Sequence, residues 1–430
     1  MTIGILGGGI SGLALGYFLR GKEDFEILEG TPVCGGLCRS FIENGFTFDY
    51  ASGHIIFSKD KGVLDIMLKI LGDNIIKNKR NTKIYYKGKF VKYPFENGLS
   101  DLPPEENKEC LETFLNNPFK KTPQNFKEWI YHNFGSGIAE KYLIPYNEKI
   151  WKTPAEEMTH SWVDGRVPKP PAEDIIKSSK GISTEGYTHQ LYFYYPLKGG
   201  IQAMTDAMLA QIGDNAKTNF RIKSIKKKGG KWFVSDGKEE HAYDKLVSTI
   251  ALFDLVNIVE GVPEEVKKAA SNLRYNSVIG IMLGLDYDNG LDLSWLYFPQ
   301  NEIPFHRIVF QSNYSPNLAP DGKSSIMVEL TYRPGDGVAK MSDEQILNLV
   351  IPKLEEVNMI KKDKIVYKKV CRNKYGYVVY TLGYEKNLKI VMDYFNKLGI
   401  DSLGRFAEFK YINTDACVRG ALDLSKKLLS

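Results

Sequence analysis

Residues 1–30 read MTIGILGGGISGLALGYFLRGKEDFEILEG, and this stretch decides the fold. A short apolar run, Ile3 to Leu6, is followed at once by Gly7-Gly8-Gly9-Ile10-Ser11-Gly12 and then by a helix-like segment to about Phe18. A second apolar run, Phe25 to Leu28, ends at Glu29, seventeen residues after Gly12. Strand, glycine turn, helix, strand and acid in this order predict a βαβ unit that binds a dinucleotide. Gly7 permits the tight turn, Gly9 has no Cβ to hold a pyrophosphate off the backbone, and Gly12 lets the helix pack against the strand. The helix N-terminus, with Ile10 and Ser11 in its first turn, offers free N–H groups and a positive dipole end to phosphates. Glu29 is placed to accept both ribose hydroxyls of an adenosine.

Length and composition set the bounds. A chain of 430 residues, 43% hydrophobic and 25% charged, is expected to make two or three soluble globular domains. A net charge of +5 suits a site for a diphosphate and does not point to nucleic acid. The basic run Lys226-Lys227-Lys228-Gly229-Gly230-Lys231 lies between two strand-like runs and reads as a solvated hairpin tip. The cysteines Cys34, Cys38, Cys110, Cys371 and Cys417 show neither a disulfide framework nor zinc spacing, which fits reduced thiols in the cytoplasm. The six histidines are scattered, so no metal site is expected. No segment reaches about eighteen uninterrupted apolar residues, so no membrane span is expected. The apolar N-terminus lacks the basic leader of a secretory signal. Composition leaves a homo-oligomer open.

Along the chain, residues 61–190 are helix-rich in pattern, with a break at Gly135-Ser136-Gly137. Residues 276–385 carry strand runs at hairpin spacing, VIGIMLGLDY, SWLYF, RIVFQSNY and SIMVELTYR, and predict an antiparallel sheet. The segments 1–60, 191–275 and 386–430 are assigned to one discontinuous dinucleotide-binding domain. GRFAEFKYINTDACVRGALDLSKKLL reads as a strand, a polar turn and a last helix with Asp415 as its N-cap.

The residues after Glu29 decide the dinucleotide. GTPVCGGLCRSF brings a second glycine pair, Gly35-Gly36, with Leu37 and Arg39, and FTFDYASGHIIFS follows over Phe46 to Ser58. This block resembles the FAD-binding fold shared by amine oxidases, protoporphyrinogen oxidases and UDP-galactopyranose mutases. The resemblance implies an α/β, Rossmann-like FAD domain of the two-dinucleotide-binding type, with a helical insert and an antiparallel-sheet substrate domain. It places Gly36, Leu37, Arg39, Gly53, His54, Ile222, Arg405, Asn413, Thr414 and Asp415 beside FAD, with the last helix aimed at the flavin's pyrimidine edge.

Longer stretches narrow the resemblance to the eukaryotic-type UDP-galactopyranose mutases. FVKYPFENGLSDLPPEE (90–106), FGSGIAEKYLIPYNEKIWKTPAEEMTHSWVDGRV (134–167), WLYFPQNEIPFHRIVFQSNYSP (295–316) and GRFAEFKY (404–411) are similar to segments of that family, in the same order. The family's chemistry implies attack of reduced flavin N5 on the anomeric carbon of a UDP-sugar, converting pyranose to furanose with no net redox change. NAD(P)H or a cellular reductase would keep the flavin reduced, and the product would serve surface glycans. Carried over position by position, Arg166 and Arg307 match arginines on the diphosphate, whose oxygens suit the guanidinium fork. His54 matches the histidine beside N5. Tyr314, Tyr377 and Tyr411 match tyrosines on the diphosphate or sugar, and Trp295 and Tyr297 match aromatics of the same pocket. Tyr93, Asn97, Asn147 and Trp151 match the nucleotide end, and Arg80 falls where an arginine lies near the cofactor.

Three positions depart from the family pattern. Ser52 replaces the first glycine before Gly53-His54, His306 precedes Arg307 where tyrosine is expected, and Glu96 replaces a glutamine at the base-recognition end. An ionised glutamate only accepts hydrogen bonds. It would suit a base N–H and repel a carbonyl, which leaves the nucleotide base open. A hydride-removing oxidase of the amine oxidase or protoporphyrinogen oxidase type is the alternative on the same fold, and a flavoprotein that only binds a nucleotide-sugar is a third.

Overall fold

The strand Thr2–Leu6 holds the middle of a five-stranded parallel sheet because both of its faces are covered. The computed structural model describes residues 1–50, 52–164, 166–185 and 191–430. Ile3 and Ile5 turn towards one apolar cluster and Leu6 towards another, as the two-residue period of a strand requires. The helices Ile10–Leu19, Gln202–Ile212 and Thr414–Leu429 pack on the first face. The antiparallel strands Ser224–Lys228, Lys231–Ser235 and Glu240–Tyr243 cover the second. Strand order is Ile400–Ser402, Lys245–Ser248, Thr2–Leu6, Asp24–Leu28, Ala216–Lys217, all parallel. A strand buried on both faces reads as a continuous apolar run, which is why this part was plain in the sequence. The lysine run is the hairpin tip, with Lys226 Nζ 2.8 Å from Glu240.

A seven-stranded sheet forms the second body. Its order is Ile365–Val379, Arg274–Leu285, Ser324–Tyr332, Arg307–Val309, Trp295–Tyr297, Thr82–Tyr86, Lys89–Lys92. Along Arg274–Leu285 the alternation is clear. Ile279, Ile281, Leu283 and Leu285 pack under the helix Asp343–Glu356, whereas Val278 and Met282 turn the other way. That helix is fixed at its start by a capping box between Ser342 and Gln345.

The sheet is not wholly antiparallel, as the strand runs predicted. Trp295–Tyr297 pairs parallel with Thr82–Ile84, so a hairpin from the helix-rich segment completes it. The division at residue 61 also fails to follow the packing. Helix Lys61–Leu71, capped by Asp60, buries Val63, Met67 and Leu71 in the dinucleotide-binding layer. The helices Pro104–Leu115, Phe126–Ile138 and Ile144–Trp151 form the insert proper around their own apolar cluster. The expected break is at Gly135, which takes φ 71° inside its helix. The insert's expected end, at 186–190, lies outside the described residues.

The C-terminal segment differs from its sequence reading. GRFAEFKY forms turns rather than a strand, with Gly404 at φ 99° and Phe409 at φ 52°, and the strand of this region is Ile400–Ser402. Asn413, not Asp415, is the N-cap of the last helix. Asp415 lies in its first turn, where its carboxylate accepts from Ser58 Oγ at 2.8 Å.

Where the chain leaves and re-enters the first body, it closes on Asp49. This residue is 0% exposed at the end of strand Phe46–Asp49. Its Oδ1 accepts from Ser40 Oγ (2.9 Å), Tyr195 Oη (2.7 Å) and the Ile201 N–H (3.1 Å). Its Oδ2 accepts the His54 N–H at 3.3 Å. Replacing Asp49 by Ala strands several buried donors, each costing about 1–3 kcal/mol. Asp49→Ala is expected to lower unfolding stability by roughly 3 kcal/mol or more, read as a fall in the urea midpoint, with Asp49→Asn recovering part of the loss.

Candidate active site

The glycine turn has the shape its sequence implied. Gly7 sits at φ 107°, and a Cβ added to Gly12 would lie 2.1 Å from the Gly7 carbonyl oxygen, so neither position tolerates a side chain. Gly9 caps the first helix, and its own added Cβ would meet nothing nearer than Gly36 Cα at 3.8 Å. The second glycine pair is tied to the first by the Gly35 N–H donating to Gly8 O at 2.8 Å. Glu29 Oε2 accepts the Gly8 N–H at 2.9 Å, and its Oε1 accepts from Thr31 N and Oγ1 at 2.8 and 2.7 Å.

From this turn a cavity of about 1040 Å³ runs to the face of the seven-stranded sheet. Gly7, Gly9, Ile10, Ser11 and Glu29 line its start. Gly36, Leu37, Arg39, Gly53 and His54 follow, and Arg405 with Asn413, Thr414 and Asp415 faces them from the C-terminal turn. The far wall takes Trp295, Tyr297, Arg307, Tyr314 and Tyr377 from the sheet. Tyr93, Glu96, Asn147 and Trp151 come from the insert, and Arg166 and Tyr411 lie nearby. The volume sits at the top of the range for small-molecule pockets.

Four expected residues stand elsewhere. Gly12 is consumed by the helix–strand contact. Asn97 turns away, donating from Nδ2 to Thr184 Oγ1 at 2.6 Å. Ile222 packs on the apolar cluster beneath the three-stranded sheet. Arg80 lies over the Tyr93 ring, 5.5 Å from its centroid.

Arg307 is held by a partner that the motifs did not reveal. Its Nε donates to Glu329 Oε2 at 3.0 Å and its Nη2 to both carboxylate oxygens at 2.8 Å. Glu329, 0% exposed on the central strand Ser324–Tyr332, also accepts from Ser52 Oγ at 2.9 Å. Burial alone would raise this carboxyl, but the Arg307 guanidinium and His306 hold it down at about 2. His306 Nε2 is 3.6 Å from Glu329, yet burial pushes the imidazole down to about 4, so it is neutral beside the ion pair. Ser52, two residues before His54, also accepts from Arg307 Nη2. The sequence signal was available: Glu329 is the one acid within an alternating apolar strand, and a buried charge needs a partner.

Burial also lowers the His54 imidazole, against the opposing pull of Asp49, and its Nδ1 has no partner among the described residues. Aromatic rings fill the far wall. Tyr297 lies 5.3 Å from Tyr93 and 5.1 Å from Tyr146, and Tyr411 lies 5.5 Å from Trp151 and 5.6 Å from Tyr377, between ring centroids. The guanidinium carbons of Arg166 and Arg405 sit 4.6 and 4.9 Å from the Tyr411 centroid. Arg166 Nη1 donates to Asn413 Oδ1 at 3.3 Å. Burial pushes the Tyr146, Tyr297, Tyr314 and Tyr377 phenols up, so each stays a hydroxyl donor at neutral pH. Tyr142 and Tyr146, which line the cavity, were quoted within a matched segment but not singled out.

Glu96 corrects the sequence reading. An ionised acceptor was expected, but the side chain is buried and burial raises its carboxyl to about 8. It is a neutral acid at ordinary pH. Among the described residues no group of His, Cys, Asp and Glu could hold a metal, and the five cysteines are free and buried. No helix among them is long and apolar enough to cross a membrane.

The comparisons with known proteins agree with this architecture. A crystal structure of reduced UDP-galactopyranose mutase is 26% identical and superposes with a TM-score of 0.91 over 100% of this chain and 95% of that one. A protein from Exiguobacterium sp. 255-15, provisionally named a protoporphyrinogen oxidase, is 18% identical with a TM-score of 0.77 over 100% and 98%. A fatty acid isomerase from P. acnes is 17% identical with a TM-score of 0.67 over 100% and 98%. These last two share the fold alone. The family description "Flavin containing amine oxidoreductase" matches residues 10–382. The chain belongs to the flavin-containing amine oxidoreductase family.

Proposed function

We propose that the protein is a flavin-dependent nucleotide-sugar mutase, interconverting pyranose and furanose forms of a UDP-sugar of the galactose type. The observation that carries this reading is the far wall of the cavity. It carries Arg307 and several buried tyrosine hydroxyls, with Arg166 nearby beside Asn413 and Tyr411. A diphosphate suits that equipment, whereas an amine, itself a cation at neutral pH, does not call for two arginines. The full-length similarity to a reduced UDP-galactopyranose mutase supports the same reading.

FAD fits the near end. The unobstructed backbone at Gly9, the N-terminus of helix Ile10–Leu19 and the Glu29 carboxylate suit its pyrophosphate and ribose, while Arg39, Arg405 and the start of the last helix suit the rest. Bound and reduced, it would supply the N5 nucleophile for the anomeric carbon. The chain's own residues then do the binding. Arg166, held by Asn413 and Tyr411, presents its fork to the diphosphate from the insert side. Arg307 meets it from the sheet with Nη1, since Nε and Nη2 are committed to Glu329 and Ser52. Both charges steady the nucleoside diphosphate while it is detached from the sugar. Tyr314, Tyr377 and Tyr411 donate to phosphate or sugar oxygens, and neutral His54 stands at the cofactor with Nδ1 free to exchange a proton.

Denatured protein should release non-covalent FAD. Pyranose-to-furanose conversion, followed by chromatography, should require reduced flavin and consume no oxygen in step with substrate. Stoichiometric peroxide would instead make the protein an oxidase. Arg166→Ala should weaken UDP about ten-fold or more, since a charge-assisted bond contributes roughly 1.5–3 kcal/mol, with little change in melting temperature. Arg166→Lys should recover only part of the binding. Arg307→Ala should lose UDP binding and also about 3–5 kcal/mol of stability, because it leaves Glu329 charged and buried alone. Calorimetric UDP binding like wild type in both Ala variants would remove the arginines from the site.

A further inference from the structure

Residues 77–92, KNKRNTKIYYKGKFVK, hold seven lysines and arginines and no acid. The whole chain carries a net +5, so everything outside this stretch sums to a net −2. The positive character of the molecule is therefore concentrated in one place. The fold lays the stretch over two adjoining strand pairs, Ile76–Lys79 with Tyr192–Tyr195 and Thr82–Tyr86 with Lys89–Lys92. We propose that this face docks reversibly on an anionic lipid surface, its lysines reaching headgroup phosphates and Phe90 and Tyr192 entering the interface. The proposal is independent of the nucleotide-sugar reading.

Strand register decides which side chains face out. In the first pair Lys77 stands opposite Tyr194 and Lys79 opposite Tyr192, so all four share one face. The two-residue period sends Phe193 the other way, into the core. Lys77 and Lys79 are exposed, and Tyr192 is 48% exposed beside them. In the second pair Ile84 and Val91 turn into the insert's cluster. Lys83 opposite Lys92 and Tyr85 opposite Phe90 take the other face, where Phe90 is 38% exposed. Exposed Lys87 and Lys89 flank the turn at Gly88. Arg80 joins the two pairs, its N–H donating to Leu191 O at 2.9 Å and its guanidinium lying over Tyr93. Lys87 pairs with Glu106, and Lys92 Nζ lies 3.8 Å from Glu185. Lys79, Lys83 and Lys89 make no ion pair among the described residues.

Two other uses of such a face fit less well. Lysines guard edge strands against unwanted pairing, and both Ile76–Lys79 and Lys89–Lys92 are edges. Guarding has no use for exposed aromatics, yet Tyr192 and Phe90 lie among these lysines. A single-stranded nucleic acid needs open ring faces on which its bases stack. Lys77 Nζ already covers them, 4.6 Å from the Tyr192 centroid and 5.9 Å from that of Tyr194. What remains is a set of cations on long apolar stems with aromatic rings between them. Such stems and rings sit at the headgroup level of a bilayer, and the charges add attraction to anionic lipid.

The test is flotation of the full-length, FAD-loaded protein with vesicles of phosphatidylcholine alone and of phosphatidylcholine mixed equally with phosphatidylglycerol. Wild type should float with the mixed vesicles and stay behind with the neutral ones. Raising salt from about 0.1 M to about 0.5 M should weaken that binding roughly ten-fold, because exposed charges are screened. Lys79→Glu, Lys83→Glu and Lys89→Glu together should abolish flotation. FAD content and melting temperature should stay at wild-type values, since none of the three lysines makes an ion pair among the described residues. Glutamine at the same three positions, gentler on folding, should weaken binding roughly ten-fold. Phe90→Ser keeps every charge and should weaken it roughly five-fold, as the loss of an inserted ring would. Equal binding to neutral and mixed vesicles, binding to neither, or wild-type flotation of the triple glutamate variant or of Phe90→Ser would each overturn the proposal. So would tighter binding to a single-stranded RNA oligonucleotide than to the mixed vesicles at the same salt, which would make the face one for nucleic acid.

Discussion

The Asp49 carboxylate is the point on which the chain closes where it leaves and re-enters the first body. It draws in Ser40 from the facing strand of its own hairpin, Tyr195 from the returning strand and Ile201 from the turn that restarts the dinucleotide-binding layer. Among the described residues no lysine or arginine is bonded to it. It is satisfied by hydroxyl and amide donors, which suffice for a buried carboxylate when they are numerous and aligned. Because its other oxygen holds the His54 N–H, the geometry that closes the fold also sets the loop at the cofactor end of the cavity.

Glu329 extends this arrangement to the opposite wall. One carboxylate orders Arg307 on the sheet and Ser52 in the His54 loop. A buried ion pair adds little net stability compared with apolar packing. Its value here is directional: it fixes one edge of the guanidinium and leaves the other for a ligand. The His54 loop and Arg307 are therefore positioned against the same group.

The dinucleotide-binding unit was legible because its constraints are local. Gly7, Gly12 and Glu29 act within thirty residues, and each glycine is required by contacts of its own turn. The strand runs of the second body were legible from alternation. Their partners were not, because the strand Trp295–Tyr297 pairs with Thr82–Ile84, more than two hundred positions away, and no periodicity encodes that register. GRFAEFKY looked like a strand by composition, but positive φ at Gly404 and Phe409 turns it back on itself. Arg307 was found by resemblance, whereas Glu329, which orients it, was missed because it stands outside the segments matched to the family, in the run SIMVELTYR that was read for its alternation alone. The protonation of Glu96 could not be read at all, since it follows from what surrounds the side chain rather than from what adjoins it in the chain.

The parallel pairing of Trp295–Tyr297 with Thr82–Ile84 also bears on how the chain assembles. Closing so long a loop costs conformational entropy before any contact repays it, and such pairings slow folding. The hairpin Thr82–Lys92 completes this sheet while packing Ile84, Tyr86 and Val91 into the insert's cluster, and the sheet's edge stays unprotected until the hairpin arrives. The insert and the sheet therefore mature as one cooperative unit. An excised second half would expose an unpaired edge of Trp, Leu and Tyr, a template for self-association.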